Sequence, residues 1–334
     1  MYVNYVNILD MRGRGGRSLI MLLKSLLVAV LALAVSLDYD AARASASTAA
    51  ADGKLKSART TLKQAISELR RSLTGPNQTA ADLLGDLGGI YKRLDQQAEA
   101  IAALEEAADV LMALHGRGDP RYAMALDKLA DAHMQAGSFE DARKMYVNIL
   151  DAMRAHLGTS HPGYEMTLGK AATAALQAGK PKGAAKAYGE LLRLSEGHGE
   201  PPESQKDQSV AGLAQVRVQY ARALAAIGNF AEALVQANLA QESYANSSSL
   251  AGSFEHAASF NGVAGVLEQL NRDEEAVAAM AKALQLAQAL GDPEMAGGAQ
   301  RNLDGLKAHV ARKQQRRQQK AMDGGETAKA ELRR

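Results

Sequence analysis

The sequence predicts an all-α solenoid built from stacked pairs of antiparallel helices. A ladder of alanines recurs every 42 to 49 residues, at Ala58, Ala100, Ala142, Ala184, Ala233 and Ala276. A turn-forming residue stands five positions before each of these alanines, and a larger apolar residue stands four positions after most of them. A motif that repeats at this distance is characteristic of a helical array, in which each helix pair packs on its neighbours.

The composition supports helices and narrows the function. The 334 residues include 7 prolines and no tryptophan, and alanine, leucine, glutamine and glutamate, which favour helix, are abundant. The net charge of +2, from 39 basic and 37 acidic residues, provides no overall field that would recruit nucleic acid or an anionic membrane. The absence of cysteine excludes disulfides, thiolate metal sites and a cysteine nucleophile. The composition therefore argues against a nucleic acid as the partner.

Residues 1–46 are interpreted as an N-terminal extension followed by a signal peptide. The first ten residues duplicate parts of residues 145–151, which indicates an upstream extension. A basic segment at residues 12–17 precedes an apolar run, Leu19–Leu37, and two overlapping A-x-A triplets follow within residues 42–46. A basic head, an apolar core and a small-residue cleavage site together characterise a signal peptide.

A retained membrane anchor is the alternative interpretation of the apolar run, because its length nearly suffices to span a bilayer. In either case the positive flank stays on the cytoplasmic side and the rest of the chain is translocated. We therefore expect a periplasmic, secreted or organelle-lumen protein. The alternatives are a membrane-anchored protein with its repeats on the translocated side, and a plastid or thylakoid-lumen protein.

The remaining chain is predicted to consist of flanking helices and about five full repeats. Residues 54–75 form the second helix of a degenerate opening repeat. The five repeats fill residues 81–291 and are 81–115, 123–157, 165–196, 210–245 and 254–290. A basic capping helix follows at residues 294–320, because the end of an array must present a polar face, and residues 321–334 are predicted to be a disordered tail.

A common order of side-chain sizes recurs among the repeats, and the fourth repeat departs from it with Arg217 at the first position. In the first repeat, Leu84, Leu87, Gly88 and Tyr91 give the order large, large, small, large along the first helix, and a ladder alanine lies on the second. This order resembles the tetratricopeptide repeat, and the 42-residue period resembles the longer subclass found in kinesin light chains. The resemblance covers about residues 81–291 and implies a right-handed superhelical solenoid of antiparallel helix pairs.

The sequence differs from the families that it resembles at positions that contact ligands in those families. The asparagines that often line the kinesin-light-chain groove are mostly replaced, by Asp127 and Gly169, with Asn261 matching. Gly85 and Gly89 stand where the Lys/Asn set that clamps a terminal carboxylate in some tetratricopeptide proteins would begin. The resemblance therefore implies the fold, and the ligand class of the subfamily is not carried over.

The resemblance also implies that the first helices of the repeats line a concave groove that binds a peptide. Carried over position by position, the groove-facing residues are Lys92, Arg93, Met124, Asp127, Asp131, Met134, Gln135, Met166, Thr173, Leu176, Gln177, Arg222, Asn261 and Glu268. Methionine adapts to apolar ligands, and Asp127 and Asp131, one turn apart, could pair with lysine or arginine. We therefore predict a partner segment of basic and apolar character. The alternative is that the methionines only fill the groove wall and the acids are solvated.

No catalytic, cofactor-binding or metal-binding residues are predicted. The seven histidines show neither HExxH spacing nor an i,i+4 pair. Gly85, Gly88 and Gly89 fall within a helix, where they are interpreted as close-packing or groove-opening positions and not as a phosphate loop. The basic run at 307–320 lacks interleaved aromatic residues, which favours a solvated capping face over RNA or lipid contact. The sequence thus predicts a non-enzymatic protein-interaction scaffold, the alternative being a membrane-tethered assembly factor or adaptor.

Overall fold

The computed structural model describes residues 38–72, 75–197, 206–247 and 249–331. Every regular element within these residues is a helix, which confirms the predicted all-α class. The helices are α1 (38–51), α2 (Leu55–Ser72), α3 (Gln78–Arg93), α4 (Gln97–His115), α5 (Pro120–Gln135), α6 (Phe139–His156), α7 (Pro162–Gln177), α8 (Pro181–Glu196), α9 (Lys206–Ala226), α10 (Phe230–Asn246), α11 (Phe254–Gln269), α12 (Asp273–Ala289) and α13 (Pro293–Glu331).

The turn residues that precede the alanine ladder adopt a left-handed backbone. This conformation is open to glycine and is tolerated by asparagine and aspartate, whose short side chains can bond locally. The residues and their φ angles are Gly53 (77°), Asp95 (57°), Gly137 (78°), Gly179 (68°), Gly228 (82°) and Asn271 (58°). The prediction of a turn at each of these positions is therefore confirmed.

Several helices begin at side chains that satisfy free backbone N–H groups. The Oδ1 atom of Asn77 accepts hydrogen bonds from two N–H groups in the first turn of α3, at 2.8 and 3.3 Å. Asp119 and His161 cap α5 and α7 in the same way, and a proline, which lacks the N–H, opens each of those helices. Because the caps lie in the linkers between repeats, they determine where each first helix starts.

The chain divides into two compact units, of which the first is residues 1–138 and contains α1 to α5. Helices α1 to α4 share one hydrophobic core, to which α1 contributes Tyr39, Ala46 and Ala50. The ladder alanines of α2 and α4 are fully buried in this core. The first unit therefore contains two complete helix pairs, α1 with α2 and α3 with α4, followed by α5.

The second unit is residues 139–334 and contains α6 to α13. A hydrophobic core extends from α7 to α13, and the ladder alanines of α8, α10 and α12 are fully buried in it. Helix α13 docks through an apolar stripe that ends at Val310. Just beyond it, Nζ of Lys313 donates a 2.8 Å hydrogen bond to Oδ1 of Asp273, whose carboxylate is mostly buried. This ion pair ties the last helix to the start of α12.

His256, near the start of α11, is part of an aromatic cluster. Its ring stacks on Tyr244 with centroids 6.0 Å apart and lies 5.4 Å from the ring centroid of Phe260. The Nδ1 atom accepts a 3.0 Å hydrogen bond from the backbone N–H of Gly252, so this nitrogen carries no proton. Burial, and then the positive charge of Lys282, lower the pKa of His256 below its ordinary value. The folded chain therefore favours the neutral imidazole.

The boundary predicted at residue 46 falls inside a helix, and cleavage there stays a prediction. Helix α1 runs through residues 38–51, so the A-x-A triplets lie within a packed element. The opening repeat accordingly has both of its helices and is not degenerate. The apolar run Leu19–Leu37 lies outside the described residues. Among the residues that are described, no helix is long and apolar enough to cross a bilayer.

Two boundaries in the second half of the chain also differ from the prediction. Helix α9 begins at Lys206, within the stretch predicted to be a loop before residue 210. Helix α13 continues to Glu331, past its predicted end at residue 320 and through most of the predicted tail. The alanines, glutamates and lysines of that stretch favour helix strongly enough to carry it through Gly324 and Gly325.

Candidate functional site

The predicted groove positions divide between the two units. Those in the first unit are Lys92, Arg93, Met124, Asp127, Asp131, Met134 and Gln135. Those in the second unit are Met166, Thr173, Leu176, Gln177, Arg222, Asn261 and Glu268. A cavity lies beside the first set, and it is the strongest candidate for a functional site.

This cavity has a volume of about 600 Å³ and lies where α1, α3 and α5 face one another. We call it the N-terminal groove. Its lining residues are Arg43, Ala44, Ala46, Ser47, Ala50, Leu62, Gly85, Asp86, Gly89, Ile90, Lys92, Arg93, Leu104 and Lys128. It is therefore lined mainly by the first helices of the repeats, as the sequence predicts for the binding surface, with an apolar floor from α2 and α4.

Two glycines open the wall of this groove. A Cβ atom built on Gly89 would have no other side chain or backbone within 4 Å, and one built on Gly85 would meet only Nζ of Lys128, at 4.0 Å. Gly88 is different, because a Cβ there would lie 2.6 Å from Cγ of Leu104. The helix α3 thus uses Gly88 for close packing on α4 and leaves its backbone exposed to the groove at Gly85 and Gly89.

The groove has an excess of positive charge. The Arg43 guanidinium bridges two carboxylates, donating from Nε to Asp86 (2.8 Å) and from Nη1 to Asp82 (3.2 Å). The hydrogen bond to Asp86 is the main reason that the pKa of Arg43 is raised. Within the described part of the chain, Lys92 and Lys128 form no ion pair or side-chain hydrogen bond. Their ammonium groups are the charges that remain for a ligand.

The other predicted positions of the first unit differ in how they relate to this groove. Arg93 is partly committed, since its Nη2 donates a 2.8 Å hydrogen bond to the carbonyl of Ala50. Met124 is 62% exposed and lines a smaller cavity of about 120 Å³ that shares Gly85 and Lys128 with the groove. The remaining predicted positions on α5 are not among the residues that line the groove.

The two predicted carboxylates on α5 are less available than the sequence implies. Asp127 and Asp131 are half-buried, and each already interacts with another group of the chain. Met134 is half-buried as well, whereas Gln135 is exposed. The predicted pairing of these acids with a basic partner segment stays a prediction.

In the second unit, some predicted groove positions serve the core instead. The Thr173 hydroxyl donates to the carbonyl of Gly169 at 2.9 Å and shares a second 2.9 Å hydrogen bond with the Tyr188 hydroxyl. Leu176 packs against the core of this unit. These two side chains stabilise helix packing, and their role at a ligand surface stays a prediction.

The remaining predicted positions of the second unit are accessible. Met166 is 62% exposed, and Gln177, Arg222 and Asn261 are exposed as well. Arg222 donates to the side chain of Gln219 at 3.0 Å. Glu268 lies 3.4 Å from the imidazole of His309 on α13.

The sequence analysis missed Arg43 and Lys128, which line the groove. A usable signal was present, because Ala46 lies one 42-residue period before Gly88, and Arg43 lies one period before Gly85. Extending the repeat backwards by one period would have predicted α1 and placed Arg43 on its groove face. The resemblance of this region to a signal-peptide cleavage site concealed the repeat.

A second cavity, of about 590 Å³, lies on the other face of α3, between α2 and α4. Its charged residues have both signs, and Arg70 forms an ion pair with Glu106 inside it. Charges that neutralise one another leave no preference for a ligand of one sign, so this cavity is a weaker candidate than the N-terminal groove.

These features are those of a helical-repeat chain. Its helices are paired, turn residues with a left-handed backbone join them, and a groove runs along first helices of the repeats. Two segments match the tetratricopeptide repeat family, residues 81–110 and residues 121–197. The chain therefore carries tetratricopeptide repeats, as the residue pattern predicts.

Solved structures share this fold. The kinesin light chain repeats of Podosopora anserina have a TM-score of 0.52 and 17% identity, covering 62% of this chain and 94% of theirs. BtubC from P. vanneervenii has a TM-score of 0.51 and 16% identity, covering 64% of this chain and 89% of its own. The apo form of RapI has a TM-score of 0.52 and 11% identity, covering 82% of this chain and 99% of its own. The predicted likeness to kinesin-light-chain repeats is thus confirmed for the fold.

One curated protein is similar in sequence over a shorter stretch. It is the secreted RxLR effector protein RXLR-C07 of Plasmopara halstedii, which is 30% identical over 99 residues. The match covers 25% of this chain and spans only 30% of the length of that protein.

Proposed function

We propose that this chain is a non-enzymatic scaffold that binds a segment of a partner protein in the N-terminal groove, after export across a membrane. The observation that carries the proposal is the open wall at Gly85 and Gly89. Each glycine in a helix interior costs about 1 kcal/mol relative to alanine. Neither position needs glycine for packing, because a Cβ at each would fit. A role in admitting a ligand close to the backbone of α3 accounts for both.

The groove is suited to an extended segment. Its floor includes the apolar side chains of Leu62, Ile90 and Leu104, and its rim carries polar and charged groups. An apolar floor with a polar rim lets alternate side chains of a peptide be buried and solvated, which is how grooves of this kind gain affinity and specificity.

Filling the groove tests this proposal. Gly89→Leu adds a side chain to the groove wall at a position where its Cβ atom would meet no neighbour within 4 Å. Gly183→Leu is the matched control, because Gly183 is an exposed helical glycine on α8 with equally open surroundings. Both variants should fold at least as stably as the wild type.

A displayed random-peptide library would be selected on the full chain, and the selected peptides would then be tested for binding to each variant. We expect selected peptides to bind the wild type and Gly183→Leu but to be lost on Gly89→Leu. Peptides that bind all three proteins equally would show that the recognition surface lies elsewhere.

Export is supported by the basic and apolar character of residues 12–37 and by the relative that is named as secreted. The packing of α1 bears on how the leader is processed. Cleavage at the A-x-A triplets would remove Tyr39 and the Arg43 ion pairs from the opening repeat. An uncut leader, which would tether the repeats to a membrane as an assembly factor, is therefore the second candidate function.

N-terminal sequencing of the mature protein separates the two candidates, together with an alkaline carbonate wash of membranes. A soluble form that starts before residue 38 supports the exported scaffold. A full-length form that stays in the membrane pellet supports the tethered factor. A mature N-terminus between residues 43 and 47 would contradict the role of α1 in the groove.

A further inference from the structure

We infer that the N-terminal groove selects an acidic segment, with a carboxylate held between Lys92 and Lys128. This inference rests on the proposed function, since it assigns a charge to the segment that the groove binds. It reverses, for this groove, the basic character expected from the carboxylates of α5.

The balance of charge in the lining favours an acidic ligand. Four basic side chains and one acidic side chain line the groove. Arg43 is paired with both Asp82 and Asp86, so these three side chains together carry one negative charge, and Arg93 donates to a carbonyl of α1. The two lysines are left without partners among the described residues. Lys92 is half-buried and Lys128 is exposed at the edge of the groove. A cation without a counter-ion in a groove attracts an anion, because a groove screens charge less than bulk water does.

The geometry brings these lysines to the exposed backbone. Gly85, Gly89 and Lys92 lie on one face of α3, since they are separated by four and three positions. Nζ of Lys128 reaches across from α5 to within 4.0 Å of the place that a Gly85 side chain would take. The exposed backbone of α3 therefore lies in the same groove as one lysine of α3 and one of α5, which are the two groups that we assign to the carboxylate.

The lining favours an acidic peptide over a nucleic acid, which is also anionic. None of the residues that line the groove is aromatic. Single-stranded nucleic acids are bound largely by stacking bases on aromatic side chains, and this groove offers no such surface. Its apolar floor suits aliphatic peptide side chains instead.

The test uses three short fluorescent peptides of equal length, with alternating glutamate and alanine, glutamine and alanine, or lysine and alanine. A fluorescent oligouridylate of similar length is the nucleic-acid probe. Fluorescence anisotropy with the full chain gives the affinity for each probe. We expect the glutamate peptide to bind at least about tenfold more tightly than any other probe.

Removing the two charges tests the assignment to residues. Lys92→Gln with Lys128→Gln should weaken binding of the glutamate peptide by about tenfold. The matched control is Lys182→Gln with Lys186→Gln on α8, which removes the same charge from exposed positions outside the groove and should leave the affinity unchanged.

Several outcomes would overturn the inference. They are a glutamate peptide that fails to bind at millimolar concentration, tighter binding of the lysine peptide or the oligouridylate, and equal weakening by the two double variants. Gly89→Leu separates this failure from that of the proposed function. If it abolishes binding of whichever peptide binds, the groove stands and only its charge preference is wrong. If it abolishes nothing, the groove assignment itself fails.

Discussion

The contact between Gly88 and Leu104 allows a stability prediction in which two neighbouring glycines behave oppositely. A Cβ on Gly88 would lie 2.6 Å from Cγ and 2.8 Å from Cδ2 of Leu104, far inside van der Waals contact. Leu104 is only 1% exposed and lies in the floor of the N-terminal groove, so it could relieve the overlap only by leaving its packed position. Gly88→Ala must therefore push α3 and α4 apart or force Leu104 out of its rotamer.

The expected magnitudes follow from two opposing contributions. Overpacking a filled core costs about 1–3 kcal/mol. Replacing glycine by alanine within a helix contributes about 1 kcal/mol of stability. Gly89→Ala receives only the second contribution, because its Cβ meets no neighbour. The free energy of unfolding of Gly89→Ala should thus exceed that of Gly88→Ala by about 1–3 kcal/mol, since the propensity gain is common to both.

Urea unfolding of the two variants and the wild type, followed by far-ultraviolet circular dichroism, measures this difference. We expect Gly89→Ala to unfold at higher urea than the wild type, and Gly88→Ala at clearly lower urea than Gly89→Ala. Equal midpoints for the two variants would refute the argument that contact with Leu104 fixes glycine at position 88.

Two further predictions concern the second unit. Stability should fall as the pH drops below the ordinary histidine value of about 6.5, because the lowered pKa of His256 makes the unfolded chain bind the proton first. His256→Asn keeps an acceptor for the Gly252 N–H, and its melting temperature should fall less than that of the wild type as the pH drops. If both proteins show the same pH dependence, other groups cause the loss of stability. Lys313→Ala should loosen α13 by about 1–3 kcal/mol, because it leaves the Asp273 carboxylate unpaired. Hydrogen exchange in α13 should rise in this variant but not in Lys307→Ala; equal exchange in both would contradict the role of the ion pair.

The repeat fold was predictable because its signals are periodic and local. The ladder alanines allow close packing of two helices, and the turn residues before them adopt a left-handed backbone. Few residue types meet either requirement. The helix α1 was not predicted, and this has an equally specific cause. Ala46 satisfies the small position of a repeat and also the small residue of a cleavage site, and sequence alone did not decide between the two.

The candidate site was only partly predictable. Lys92 lines the groove as expected, because its position follows from the phase of the first repeat. Thr173 lies two 42-residue periods after Gly89, which lines the groove, yet its hydroxyl forms a hydrogen bond with the Tyr188 hydroxyl. Phase determines which helix face a residue occupies, whereas its partners depend on contacts between helices that the sequence does not specify. The pairing of Arg43 with Asp82 and Asp86 is of this kind.

The most direct test of the account is a calorimetric titration of one selected peptide into the wild type, Gly89→Leu and Gly183→Leu. The account predicts that Gly89→Leu binds at least about tenfold more weakly while its melting temperature is unchanged or higher, and that Gly183→Leu matches the wild type. Equal affinity for all three proteins would contradict the claim that this chain recognises its partner in the N-terminal groove.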